Sequence, residues 1–306
     1  MRGDSTPGKL NLMCRMTFAA IAASAALSPL GAQQVPGRDL FQFPLGTLAE
    51  APALADAAGG GFWNPATIAL HGQGRLLLSA AALNSSPDQS VSSQLGTLAY
   101  QLRGGITGGI SVAQSSVSDL ARTDTDPQSM GDAIPYRSTI LSGVVAVERK
   151  SMTLGLALRR RSGAVDQARG AATSIDLGGV VNRPGGLPIR LALSSFLLSP
   201  SRGVERTSAV GAIEGYLPVA RDLRAGLSYQ QDRGSGNETF LYAARRARAL
   251  DLRGGIARQR AFGASTTRLR LGVGLRYAGY LVGIAREDGT AGLGATYQFL
   301  LTTVFP

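Results

Sequence analysis

From Arg75 to Phe305 the chain repeats one pattern: about ten residues in which apolar side chains alternate with small or polar ones, followed by a turn. The clearest case is Thr267 to Tyr277. Leu269, Leu271, Val273, Leu275 and Tyr277 share one face, while Arg268, Arg270, Gly272, Gly274 and Arg276 share the other. Ser151 to Arg159 and Asp222 to Gln231 repeat the arrangement. A helix would spread these apolar positions around its whole circumference, and the glycines would weaken it.

The pattern predicts about fourteen strands, an even number, near residues 75–83, 95–102, 106–115, 136–148, 151–159, 172–181 and 189–198, then 206–217, 222–231, 238–247, 250–258, 267–277, 279–286 and 291–305. Their connections alternate. Longer polar links (84–94, 116–135, 160–170, 232–237) fall on one side and turn-sized ones (103–105, 149–150, 219–221, 278) on the other. Ten residues rising about 3.3 Å each and tilted about 40° span roughly 25 Å, the apolar height of a membrane barrel. The expectation is therefore an all-β fold: a transmembrane antiparallel β-barrel over residues 74–306, its short turns in the periplasm.

The first 32 residues read as a cleaved secretory signal. Arg2, Lys9 and Arg15 form a basic region, Met16 to Leu27 is apolar, and Pro29 to Ala32 offers small residues for cleavage. Cys14, the only cysteine, precedes the apolar run and would leave with it, so no disulfide framework is expected. Net charge is +11; the signal holds three basic residues and one acidic, which leaves the remainder strongly cationic and almost wholly through arginine. Export argues against nucleic acid as the partner. The acidic partners an outer membrane offers are lipopolysaccharide phosphates and anionic solutes.

Residues 33–73 are expected to form an N-terminal segment ahead of the barrel, and Leu45 to Leu70 within it lacks the period-two pattern. Leu45, Leu48, Ala49, Leu54 and Ala55 suit one side of a short helix begun or broken at Pro52, and Gly59-Gly60-Gly61-Phe62-Trp63-Asn64-Pro65-Ala66 follows as a turn. The stretch ALADAAGGGFWNPATIAL, Ala53 to Leu70, resembles the corresponding stretch of FadL-type transporters and related PorV-like outer-membrane proteins, in which Phe/Trp-Asn-Pro-Ala stands just before the first barrel strand. The matching positions are Phe62, Trp63, Asn64, Pro65 and Ala66. The resemblance implies an N-terminal hatch folded into the lumen of a barrel of about fourteen strands, with passage of hydrophobic molecules such as fatty acids past it. The chain is short for the FadL-type transporters proper, and Phe62 to Ala66 also suit a purely structural plug turn.

Arg159, Arg190, Arg224, Arg253, Arg268, Arg270 and Arg276 fall opposite the apolar faces, toward the lumen. They suit binding of a carboxylate or phosphate; they equally suit pairing with Asp176, Glu214, Asp251 and hatch carbonyls to fill a narrow pore. The last strand carries Tyr297, Phe299, Leu301 and Phe305 on one face. This resembles the terminal signal that the barrel-assembly machinery recognises, except that Pro306 follows the phenylalanine. His71 is the only histidine, so neither a catalytic base nor a metal site is expected, and no cofactor is implied.

The functional expectation is an outer-membrane channel for hydrophobic or amphipathic small molecules, gated by its hatch and embedded in outer-membrane lipid and lipopolysaccharide. The alternatives are a PorV-like barrel serving a secretion or surface-attachment system, and a structural or porin-like barrel with no specific substrate.

Overall fold

The computed structural model describes residues 35–306 except 43, 56–58, 70–73, 87–89, 119, 124–128, 199–206, 218–221, 233–235, 262 and 290–293. The expected signal, with Cys14, and the lone His71 lie outside the described residues.

The strands are β1 (Leu76–Asn84), β2 (Val91–Gln101), β3 (Ile106–Val117), β4 (Ala121–Thr123), β5 (Ser129–Ala133), β6 (Tyr136–Arg149), β7 (Met152–Val165) and β8 (Ala168–Asn182). There follow β9 (Ile189–Phe196), β10 (Ser208–Tyr216), β11 (Leu223–Asp232), β12 (Gly236–Ala247), β13 (Leu250–Ala261), β14 (Ala264–Tyr277), β15 (Tyr280–Glu287) and β16 (Thr296–Phe305). β4 and β5 form a small separate hairpin in the link between β3 and β6. The other fourteen, each antiparallel to its neighbours, make one closed barrel in the order of the chain. Closure comes from β1 pairing with β16, Leu76 opposite Phe305 and Asn84 opposite Tyr297. All fourteen expected strands are present.

The faces divide as the alternation demands. On β14 Leu269, Leu271, Val273, Leu275 and Tyr277 are exposed, while Arg270, Gly272 and Gly274 are buried. Around the barrel the large exposed side chains are mostly leucine, valine, isoleucine and tyrosine, including Leu193 at 68% and Tyr277 at 79%. That is the reverse of a soluble protein and fits a wall solvated by lipid.

Three expectations need correction. Residues 160–170 are not a long loop: β7 runs to Val165, β8 starts at Ala168, and Asp166 takes a positive φ in the tight turn between them. Beyond the lipid belt both faces become polar, Arg160 and Ser162 outward and Arg161 and Gly163 inward, so the strand continues after its hydrophobic period has ended. The links expected at 84–94 and 232–237 likewise shrink, because β2 starts at Val91, β11 extends to Asp232 and β12 starts at Gly236. The longer links that remain, 118–135, 197–207 and 288–295, all lie at one end of the barrel. In outer-membrane barrels generally the longer loops lie on the outer side and the short turns in the periplasm.

Replacing Leu271 by arginine should destabilise the barrel by about 2 to 4 kcal/mol in lipid vesicles, whereas Ser265→Arg, beyond the belt on the same strand, should cost about 0 to 1. Equal costs in equilibrium unfolding would contradict the placement of the belt.

Candidate functional site

The barrel encloses an apolar core to which the chain contributes its own N-terminal segment. Phe41, Leu45, Leu48, Leu54, Phe62 and Trp63 are buried together with the inward side chains Leu83, Leu95, Ile140, Phe196, Val210 and Phe240. The segment is built from short 3-10 turns, at Asp39–Gln42, Pro52–Leu54 and Pro65–Ile68. The short helix expected around Pro52 is thus a single turn. Proline opens two of the three turns, where its missing N–H costs nothing and its fixed φ suits the first helical position.

Polar groups of the segment are satisfied largely by the segment itself. The Asn64 carboxamide accepts from the Ala66 N–H (3.0 Å) and donates to the Ala53 carbonyl (2.8 Å) and, across to β8, to the Gly179 carbonyl (3.4 Å). Thr67 Oγ1 accepts from the Gly61 N–H (3.0 Å) and donates to the Asn64 carbonyl (2.9 Å). Trp63 Nε1 donates to the Leu45 carbonyl (2.8 Å). Each of these polar groups is buried, so breaking one strands its partner away from water.

The wall receives this backbone through glycines. A Cβ on Gly155 would lie 2.3 Å from the Ala66 nitrogen; on Gly178, 2.0 Å from Asn64 Oδ1; on Gly163, 1.9 Å from the Pro36 carbonyl oxygen. None of these three has a positive φ. What the positions require is the absence of a side chain where a second backbone touches the strand. The sequence carries that signal as inward-facing glycines, but alternation alone reads them as ordinary small residues.

Aromatic rings stack around one buried cation. Phe62 meets Trp63 edge-on at 5.3 Å between centroids, and Trp63 lies 4.6 Å from Phe196 of β9. The Arg159 guanidinium sits over the Phe62 ring (5.2 Å) and the Phe196 ring (5.0 Å), pairs with Asp176, and donates to the Phe62 carbonyl and Ser142. Arg161 donates to the carbonyls of Pro36 (2.6 Å) and Val35 (2.7 Å), and Arg38 of the segment reaches Ser208 (2.6 Å) and Asp232 (3.4 Å). Arg38 and Arg161 did not stand out in the sequence, because their role depends on where the segment docks.

The seven arginines singled out in the sequence all face inward, and each has a carboxylate partner. Arg190 and Arg224 share Glu214 at 3.6 and 3.3 Å, and Tyr242 donates to the same carboxylate at 3.1 Å. Arg268 and Arg270 share Glu238 (3.1 and 2.7 Å) and Glu287. Arg253 pairs with Asp251 (3.1 Å) and with Glu50 of the segment, and Arg276 pairs with Asp251 at 3.2 Å. Glu50, Glu238 and Glu287 thus join the carboxylates named from the sequence. The four residues of the expected assembly signal behave alike: Tyr297, Phe299, Leu301 and Phe305 are exposed along β16. Among the described residues no group of three or more histidine, cysteine, aspartate or glutamate side chains gathers to hold a metal.

Between segment and wall the fit is close. One cavity of about 20 Å³ lies between residues 46–50 and the inner faces of β13 to β16, and a second of about 20 Å³ lies beside Glu214 and Tyr242. Each has room for about one water. A larger cavity, about 450 Å³, opens at the short-turn end, and a groove of about 770 Å³ runs along the outer wall over Ala80, Ala82, Gly96 and Val112.

No protein-family model matches this chain, and no curated protein matches its sequence. Solved structures do resemble it. A Pseudomonas aeruginosa FadL homologue superposes with a TM-score of 0.57 at 10% identity, covering 90% of this chain and 99% of its own. A TodX deltaS2S3 mutant, described as a monoaromatic hydrocarbon channel, gives 0.52 at 8% identity, covering 78% of this chain and 91% of its own. The chain has the fold of a FadL/TodX-type outer-membrane barrel.

Trp63 is the only tryptophan and is fully buried, so its fluorescence reports on the segment. Gly155→Val should shift Trp63 emission to the red and raise its quenching by acrylamide, with β-structure retained by circular dichroism. An unshifted emission would show that the wall does not need glycine there. Asn64→Ala removes a buried hub and should cost about 1 to 3 kcal/mol, read as a lower midpoint for the same fluorescence change in urea.

Proposed function

We propose that this chain is an outer-membrane channel for hydrophobic or amphipathic small molecules of fatty-acid type, exported by residues 1–32 and held closed at rest by residues 33–73 acting as a hatch. The observation that carries the reading is the apolar, aromatic core within the barrel, made by Phe41, Phe62 and Trp63 against Phe196. A barrel that passes polar solutes keeps a wet, polar interior. Here a polar solute displacing the segment would lose its hydration against aromatic rings, whereas a hydrocarbon replaces one apolar contact with another. The fold shared with the FadL homologue and the TodX channel supports the same class of solute.

In this reading the hatch is a plug that must move. Phe62 to Ala66 are its pivot, because the buried hydrogen bonds of Trp63 and Asn64 tie them to Leu45 and Ala53 and they press against Gly155 and Gly178. The segment contacts its wall without any covalent tie, since the only cysteine is Cys14. The lumenal arginines neutralise the carboxylates around them; attraction of an acidic head group falls to those with accessible guanidinium at the lumen's mouth. A partner-binding barrel is the second reading. The small-residue groove over Ala80, Ala82 and Gly96 on the outer wall favours it.

In liposomes the protein should admit a long-chain fatty acid and exclude a small sugar. Uptake of neither would sink the channel reading and leave the partner-binding one. Deleting residues 41–64 should raise nonspecific conductance in planar bilayers at least severalfold, and unchanged conductance would remove the hatch from the proposal.

A further inference from the structure

The cavity at the short-turn end has two chemically different sides. Leu77, Leu281, Thr302 and Val304, from the inner faces of β1, β15 and β16, make one wall, and Arg246 of β12 and Arg276 of β14 make the other. Its volume, about 450 Å³, falls within the range of roughly 300 to 1,000 Å³ typical of small-molecule sites.

Charge around it does not balance. The fully buried Asp251 serves three arginines: Arg253 at 3.1 Å, Arg276 at 3.2 Å and Arg246 at 4.0 Å. Arg253 has Glu50 as a second partner, which among the described residues leaves three guanidinium groups to two carboxylates. Arg246 bears the deficit. It stands beyond hydrogen-bond distance from Asp251, and its side chain is 47% exposed. Arg276 gives Nη2 to Asp251, is 35% exposed, and its Nε has no hydrogen-bond partner among the described residues.

We propose that this vestibule binds a single-chain amphipathic carboxylate, its head group between Arg246 and Arg276 and its chain along Leu77, Leu281 and Val304. A carboxylate is the ligand that restores the local balance, because it accepts charge-assisted hydrogen bonds from guanidinium donors that Asp251 does not use. The apolar wall accounts for the tail, since it faces the lumen and not the lipid. The site deepens the channel reading and rests on it for its role: it is where an acidic solute pauses at the periplasmic mouth.

The test is equilibrium binding to the full chain in nanodiscs of zwitterionic lipid, with decanoate and the neutral decanol as probes. Decanoate should bind at least about tenfold more tightly than decanol, and the double variant Arg246→Gln, Arg276→Gln should lose that preference while keeping its affinity for decanol. Arg246→Gln alone, at an exposed side chain with no side-chain hydrogen bond among the described residues, should lose about threefold or more for decanoate if the double variant fails to fold. Arg246→Lys should restore part of the loss. Decanoate binding unchanged in the variants overturns the proposal. So does displacement of the probe by added phosphatidylglycerol, which would assign the arginines to a lipid head group. Decanoate selectivity that depends on Arg246 in a protein that passes no fatty acid in liposomes would support the site and refute the channel.

Discussion

Hydrocarbon offers the peptide backbone no hydrogen-bond partner, and the rest of this structure follows from that constraint. A sheet that enters a bilayer must pair every N–H and C=O with another strand, so the first strand has to find the last. Here β1 lies between β2 and β16 with an unbroken register over all nine of its residues. The outward residues then need only match lipid, and leucine, valine and tyrosine do so. Closure also fixes what cannot be on the outside. The arginines of β14 point inward because the leucines between them must point outward.

A closed ring of fourteen strands has an inside, and that inside has to be filled with water, side chains or chain. This protein fills much of it with chain. Among its described residues, segment 35–69 forms only single 3-10 turns, held by its own hydrogen bonds and by packing against the wall. Glycines at 109, 155, 163, 178 and 272 let it come close, and the inward arginines reach its carbonyls. The result is an inside-out molecule with two apolar regions separated by one sheet. The outer is a lipid belt and the inner a buried aromatic core.

Buried arginines inside such a core are tolerable only when paired, because desolvating a lone guanidinium costs several kcal/mol. The pairs tie different strands together: Arg159 of β7 to Asp176 of β8, Arg190 of β9 and Arg224 of β11 to Glu214 of β10, Arg270 of β14 to Glu238 of β12. Arg253 is different, since Glu50 carries its pairing into the N-terminal segment. The charge network therefore braces the ring and holds the segment at once. Near Asp251, where arginines outnumber carboxylates, it leaves positive charge facing open space.

The strand number, the faces and the closed ring were legible in the residues themselves, because lipid outside and chain inside impose opposite chemistry on alternate positions, and Thr267 to Tyr277 displays that alternation without interruption. Legibility failed where the contrast failed. Residues 160–170 have polar side chains on both faces, so the extensions of β7 and β8 carry no hydrophobic period. Arg159 to Asp176 pairing was within reach of local reading, since the two strands are neighbours in sequence. The union of Glu238 of β12 with Arg268 and Arg270 of β14, of Glu50 with Arg253, and of Arg161 with the Val35 and Pro36 carbonyls was not. Those contacts join positions far apart in the chain, Glu50 to Arg253 being the widest of them. The sequence determined which side chains would face the lumen; only the closed ring, with the segment seated in it, decided which of them would meet.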